Sequence, residues 1–153
     1  MRVLVNTSPL IALGRIERID LLRDLYKQVV CPRSVVDEIE AGVHKGHAPA
    51  MTLPPWVTVD PDPAGMTFRR ELGAGESAVL SLALATKADL VVLDDLQARL
   101  VAAELNLRTT GTLGILVAAQ QRGLIPNVRD EARKLQAAGF RIHPTLMDAL
   151  PDS

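Results

Sequence analysis

The chain has 153 residues, 48% of them hydrophobic and 23% charged, which fits one globular domain with its own core. A formal net charge of -1 sets up no long-range basic field, which argues against a groove-filling DNA reader but leaves room for an enzyme that grips phosphate through a metal. Aromatics make up only 3%, the single cysteine (Cys31) excludes an intramolecular disulfide, and no apolar run reaches the ~18 residues of a membrane helix.

The N-terminal apolar run, Val3 to Val5, is too short for a signal peptide, so a cytoplasmic protein is expected. Arg2 to Val5 reads as a first buried strand ending at Asn6-Thr7-Ser8-Pro9. Ser8 is a favoured cap and Pro9 suits the first helical position, which predicts a short helix through Leu10, Ile11 and Leu13. Ile16, Ile19, Leu21, Leu22 and Leu25 recur at helical spacing and predict a second helix from Ile16 to Leu25. Gln28 to Cys31 is a short strand, and Pro32-Arg33-Ser34 opens a helix that turns Val35, Val36 and Ile39 inward. Gly42 to Pro55, with its glycines, prolines and two histidines, reads as a surface excursion. Trp56 to Val59 alternates like an edge strand, and Asp60-Pro61-Asp62-Pro63 is a turn-rich link.

Gly75 to Lys87 is rich in Ala and Leu and reads as a buried helix. Val91-Val92-Leu93 is a short apolar run of the kind found in a buried parallel strand, and it ends on Asp94-Asp95. A helix over Asp95 to Leu105 follows, then a short strand at Arg108 to Thr110 and a helix from Thr112 to Arg122 closed by Gly123. A further helix is expected from Ile125-Pro126 to Ala138-Gly139, a final strand at Phe140 to His143, and a last helical turn from Pro144 to Leu150. Strands alternate with helices and nothing divides the chain, so the class is α/β, one domain with a mainly parallel sheet.

Parallel strands end on one edge of their sheet, where open α/β proteins bind ligands. Asn6, Asp94 and Asp95 fall at strand ends, while Glu38 and Glu76 lie on helices that follow, so these groups are expected to share one pocket. Crowded carboxylates repel one another unless a positive partner compensates, and magnesium or manganese prefers such oxygen ligands. Each residue also has a plainer role. Asp94 and Asp95 suit a helix start, Glu76 favours its helix N-terminus, Glu38 can be solvated, and Asn6 can shape a turn. Arg99, four residues after Asp95, has either salt-bridge spacing or access to a substrate phosphate. Arg69-Arg70 flank a nucleic-acid path or form a solvated face, and His44 with His47 lacks the further ligands of a zinc site.

Taken together, Asn6-Thr7-Ser8-Pro9-Leu10-Ile11-Ala12-Leu13, Pro32 through Glu38, Gly73-Ala74-Gly75-Glu76, Leu93-Asp94-Asp95 with Arg99, and Thr110-Gly111-Thr112-Leu113-Gly114 resemble the PIN domain, nearest to its VapC-like toxin branch. The resemblance spans Arg2 to about Ile142 and implies a three-layer α/β/α sandwich around a mainly parallel sheet. It further implies magnesium- or manganese-dependent cleavage of RNA, leaving 5′-phosphate and 3′-hydroxyl ends. Glu38, Glu76, Asp94 and Asp95 would then hold the metal, with Asn6 as a neutral ligand and Thr7, Ser8, Arg99, Thr110 and Thr112 as auxiliary polar groups. An antitoxin and a second copy of the chain are the partners it implies.

Two positions depart from the family pattern. Asn6 stands where the family usually has Asp, and hydroxyls stand near Thr110 to Thr112 where a fourth acid is usual. A PIN scaffold that binds RNA or protein without cutting is therefore the alternative. A phospho-accepting signalling domain also uses an acidic pocket at sheet ends, but it places its acidic pair after the first strand.

Overall fold

The structure, a computed structural model, describes residues 1–46, 51–64, 68 and 71–152. Its sheet has five parallel strands in the order β3-β2-β1-β4-β5. These are β1 (Val3–Val5), β2 (Val29–Pro32), β3 (Val57–Asp60), β4 (Leu90–Val92) and β5 (Thr109–Thr110). Every residue of β1 and β4 is buried, as strands covered on both faces must be. β3, by contrast, exposes Thr58 and Val59 at the sheet's edge, the place expected for it.

Eight helices are described: α1 (Thr7–Arg15), α2 (Asp20–Tyr26), α3 (Arg33–His44), α4 (Ala74–Thr86), α5 (Leu96–Glu104), α6 (Thr112–Gln121), α7 (Val128–Ala137) and α8 (Pro144–Ala149). α4 lies across β1, β2 and β4 and packs on α3 and α5. α6 packs on α1, α2 and α7. The two helical groups sandwich the sheet, and Leu4, Leu10, Leu13, Leu80, Leu93 and Leu116 fill the core with essentially no exposure. Among the described residues no helix is long and apolar enough to cross a membrane.

The strand order places the future site. The chain builds outward from β1 through β2 to β3, then returns to lay β4 on the other side of β1. The order reverses between β1 and β4, so a crevice opens beyond their carboxyl ends. Asn6 leaves β1 at that point, and Leu93-Asp94-Asp95 leave β4 there; the Asn6 N–H donates to Val92 O at 2.9 Å.

Several expected boundaries move for local reasons. α2 starts at Asp20, because Glu17 takes a positive φ of 59° and breaks the run that begins at Ile16. α7 starts at Val128, because the Asn127 side chain accepts from the N–H groups of Arg129 and Asp130. α3 runs on to His44, so Gly42 is helical and the excursion begins later. Phe140 to His143 is no strand. Gly139, at φ 100°, ends α7, and the His143 ring nitrogen caps α8 by accepting from Thr145 N–H. The alternation from Phe140 to His143 reflects half-buried Phe140 and Ile142 between exposed Arg141 and His143, which needs no sheet partner.

Candidate functional site

Asn6 occupies the N-cap position of α1, two residues earlier than the Ser8 cap expected from sequence. Asparagine is among the best capping residues, yet its side chain makes no capping hydrogen bond here. Its side chain is buried, with 5% of the residue exposed, and Oδ1 has no hydrogen-bond partner. Leaving such an acceptor unpaired costs ~1–3 kcal/mol, so an orphan of this kind marks a place where something else belongs. Ser8, freed from capping, points its hydroxyl at Asp94 Oδ2, 3.4 Å away.

The neighbouring carboxylates are held by backbone. Glu38 accepts from Gly75 N–H through Oε1 and from the Thr7 hydroxyl through Oε2, both at 2.7 Å. Gly75 is in the first turn of α4, so the positive end of that helix dipole faces Glu38. Asp94 is fixed in the same manner by α6: Oδ1 accepts from Thr112 N–H and Oδ2 from the Thr112 hydroxyl, each at 2.7 Å. Asp95 caps its own helix, accepting from Ala98 N–H at 2.9 Å. The capping role that sequence allowed for the acidic pair is thus real at Asp95, while Asp94 is oriented by a helix 18 residues away.

Glu76 carries the clearest electrostatic signature. Burial pushes its carboxyl pKa up, and the nearby charges of Asp95 and Glu38 push the same way; hydrogen bonds from the backbone of Glu76 and Gly73 only partly oppose this. Glu76 therefore feels the charge of both Asp95 and Glu38. Asn6, Thr7, Glu38 and Glu76 line a shallow cavity of about 320 Å³, whereas Asp94, Arg99, Thr110 and Thr112 line a larger one of about 510 Å³. Ser8 and Phe140 border both. The single pocket expected from strand ends is in fact two adjoining cavities, because Asp94 is pulled toward α6.

Arg99 does not form the expected helix pair with Asp95, which is absent from the ion pairs of the described residues. Its Nη1 lies instead beside Gly111, where a Cβ would come within 3.2 Å of it and within 2.7 Å of Asp94 Oδ1. A side chain at 111 would collide with that carboxylate. His44 ends α3 on the surface and lines neither cavity. His47, Arg69 and Arg70 lie outside the described residues.

Comparison with known families decides the class. A family model, DUF3368, a PIN domain, matches residues 2–152. The chain belongs to the PIN-domain family. PIN domains are usually nucleases and typically use divalent metals. No curated protein and no solved structure matched the chain.

The donor set of this PIN domain suits such an ion. It offers oxygen atoms alone: an unpaired buried amide oxygen and crowded carboxylates whose repulsion a cation would relieve. Among the described residues no three His, Cys, Asp or Glu side chains already close into a cage.

The C-terminal wall of the larger cavity escaped sequence reasoning. Phe140, Arg141, Ile142 and Leu146 reach it from the segment after α7, 45 or more residues beyond Asp95 in the chain. No motif or spacing links them to the acids; the alternation that suggested a strand was the one local signal.

Proposed function

We propose that this PIN domain is a magnesium- or manganese-dependent endoribonuclease and the toxin of a toxin–antitoxin pair. The observation that carries the reading is the buried, unpartnered Oδ1 of Asn6, opening on a cavity it shares with Glu38 and Glu76. Asn6, Glu38, Glu76 and Asp95 would hold the metal, with Asp94 at the adjoining edge. Bound there, a divalent cation supplies charge neutralisation at the phosphate and an acidified water.

The protein's own groups prepare that chemistry. Thr7 and Gly75 fix the Glu38 carboxylate, so it needs no reorganisation when a ligand arrives. Glu76, whose carboxyl pKa is pushed up by burial and by the charges of Asp95 and Glu38, is the acid whose crowding a bound cation would relieve. Thr112 holds Asp94 on the wall of the larger cavity. The toxin role, the VapC-like branch, an antitoxin partner and a homodimer follow from the sequence resemblance and belong to this proposal.

A second reading, a PIN scaffold that binds RNA or protein without cutting, is favoured by the neutral Asn6 at the position usually held by Asp. Calorimetric manganese titration beside cleavage of a mixed RNA pool separates the two. The nuclease binds manganese and leaves 5′-phosphate ends; Glu76→Gln loses both properties. A wild-type protein that binds RNA but cuts none of the pool in manganese is the scaffold.

A further inference from the structure

The larger cavity adjoins the carboxylates but contains a single acid at its edge, Asp94. Hydroxyls of Ser8, Thr109, Thr110 and Thr112 line one side; Leu135, Phe140, Ile142 and Leu146 form an apolar wall, with the exposed Arg99 and Arg141 at its margin. At about 510 Å³ it is within the ~300–1,000 Å³ range of small-ligand sites. Phe140 is the aromatic that borders both cavities, in a chain with only two Phe, one Tyr and one Trp.

Phe140 is held in place. Its N–H donates to Leu135 O at 3.0 Å, and the Arg15 guanidinium sits 5.6 Å from its ring centroid. Arg15 in turn donates to Ala138 O at 3.2 Å and lines the carboxylate cavity with Phe140. A half-buried, fixed aromatic wall beside cations is how proteins receive an unpaired nucleobase, by stacking on the ring while basic groups meet the backbone phosphates. β5 is the sheet's outer strand, so among the described residues the outward peptide edge at Thr109, on the cavity lining, faces no neighbouring strand. It can pair with a base edge.

We propose that Phe140 is a base-stacking, specificity-determining residue. A nucleotide next to the scissile phosphate unstacks and enters the larger cavity against the Phe140 ring, with Arg99 and Arg141 facing its phosphates. The substrate class is then single-stranded RNA, because a duplex cannot present a splayed base. This inference rests on the RNA reading above.

The test measures affinity for a short labelled single-stranded RNA and for a hairpin stem, in manganese and in a Glu76→Gln background that holds cleavage down. Phe140→Leu keeps an apolar wall of similar bulk and removes the ring. It should weaken single-strand binding roughly 5- to 100-fold, while Phe140→Trp stays within about threefold of the parent. Affinity for the stem should not change. Equal affinity in the parent and in Phe140→Leu overturns the proposal, as does equal loss in Phe140→Leu and Phe140→Trp, which would make the ring structural. A parent that binds no single-stranded RNA also overturns it. Cleavage of the RNA pool by the wild type, run alongside, reports separately on the nuclease. Phe140-dependent binding without cleavage sinks the nuclease and keeps this inference; cleavage with Phe140-independent binding does the reverse.

Discussion

Gly75 N–H donates to Glu38 Oε1 at 2.7 Å, and a Cβ on residue 75 would lie 2.7 Å from the carboxyl carbon of the same side chain. The absent side chain and the hydrogen bond are one device: α4 can approach Glu38 closely enough to pin it only because residue 75 is glycine. Gly75→Ala should push the carboxylate off its donor, destabilising the protein by about 1–3 kcal/mol. Cleavage should fall ~100-fold, the usual cost of an ångström of misplacement. Urea unfolding and a manganese-dependent cleavage assay check the two effects, and wild-type cleavage in Gly75→Ala would remove Glu38 from the site.

Asn6→Asp adds charge where Oδ1 is buried and unpartnered. Hard cations gain affinity with ligand charge, so manganese binding should tighten roughly tenfold and cleavage should rise. Without metal the variant should melt lower than wild type, since another carboxylate joins Glu38 and Glu76. Calorimetry with and without manganese reads both signs. If affinity and cleavage stay at wild-type values, Asn6 only shapes the turn into α1.

Glu76 is crowded by Asp95 and Glu38, in addition to being partly buried. Glu76→Gln removes the repulsion at nearly constant shape. In chelator at neutral pH it should raise Tm by about 2–4 °C, the equivalent of ~1 kcal/mol for a domain of this size. The same substitution should cut manganese-dependent cleavage at least ~100-fold. A variant no more stable than wild type in chelator would mean that the carboxylates do not strain the metal-free fold.

Away from the site, Glu131 on α7 is buried at 3% side-chain exposure and takes Arg18 at 2.7 Å and Lys134 at 3.2 Å. Burial alone would raise its pKa, but hydrogen bonds and charge from Arg18 and Lys134 outweigh that and hold it below the ordinary 4.5. A depressed folded-state pKa contributes stability that is complete above the unfolded value and is lost as pH falls through the folded one. Glu131→Gln should destabilise by about 1–3 kcal/mol at pH 7. The gap to wild type should narrow as pH drops below about 4.5. Paired denaturant titrations at pH 7 and pH 3.5 decide it; a gap that persists unchanged at pH 3.5 assigns the loss to packing.

Much of this protein is written locally. The apolar runs at Val3 to Val5 and Leu90 to Val92, the Ala-Leu helix from Gly75 and the turn chemistry between them dictate strands, helices and their alternation, because backbone preference and hydrophobic period act over a few residues. The acids at strand ends and helix starts were visible for the same reason. What no local rule contains is the reversal of strand order between β1 and β4, which sets Asn6 beside Val92 across 86 residues. Tertiary packing alone also decided that Asn6 forgoes its cap, that α6 draws Asp94 into a second cavity, and that Phe140 arrives at its wall. Those outcomes depend on which surfaces meet when the sheet is covered, and burial energy is summed over contacts that the linear sequence does not order.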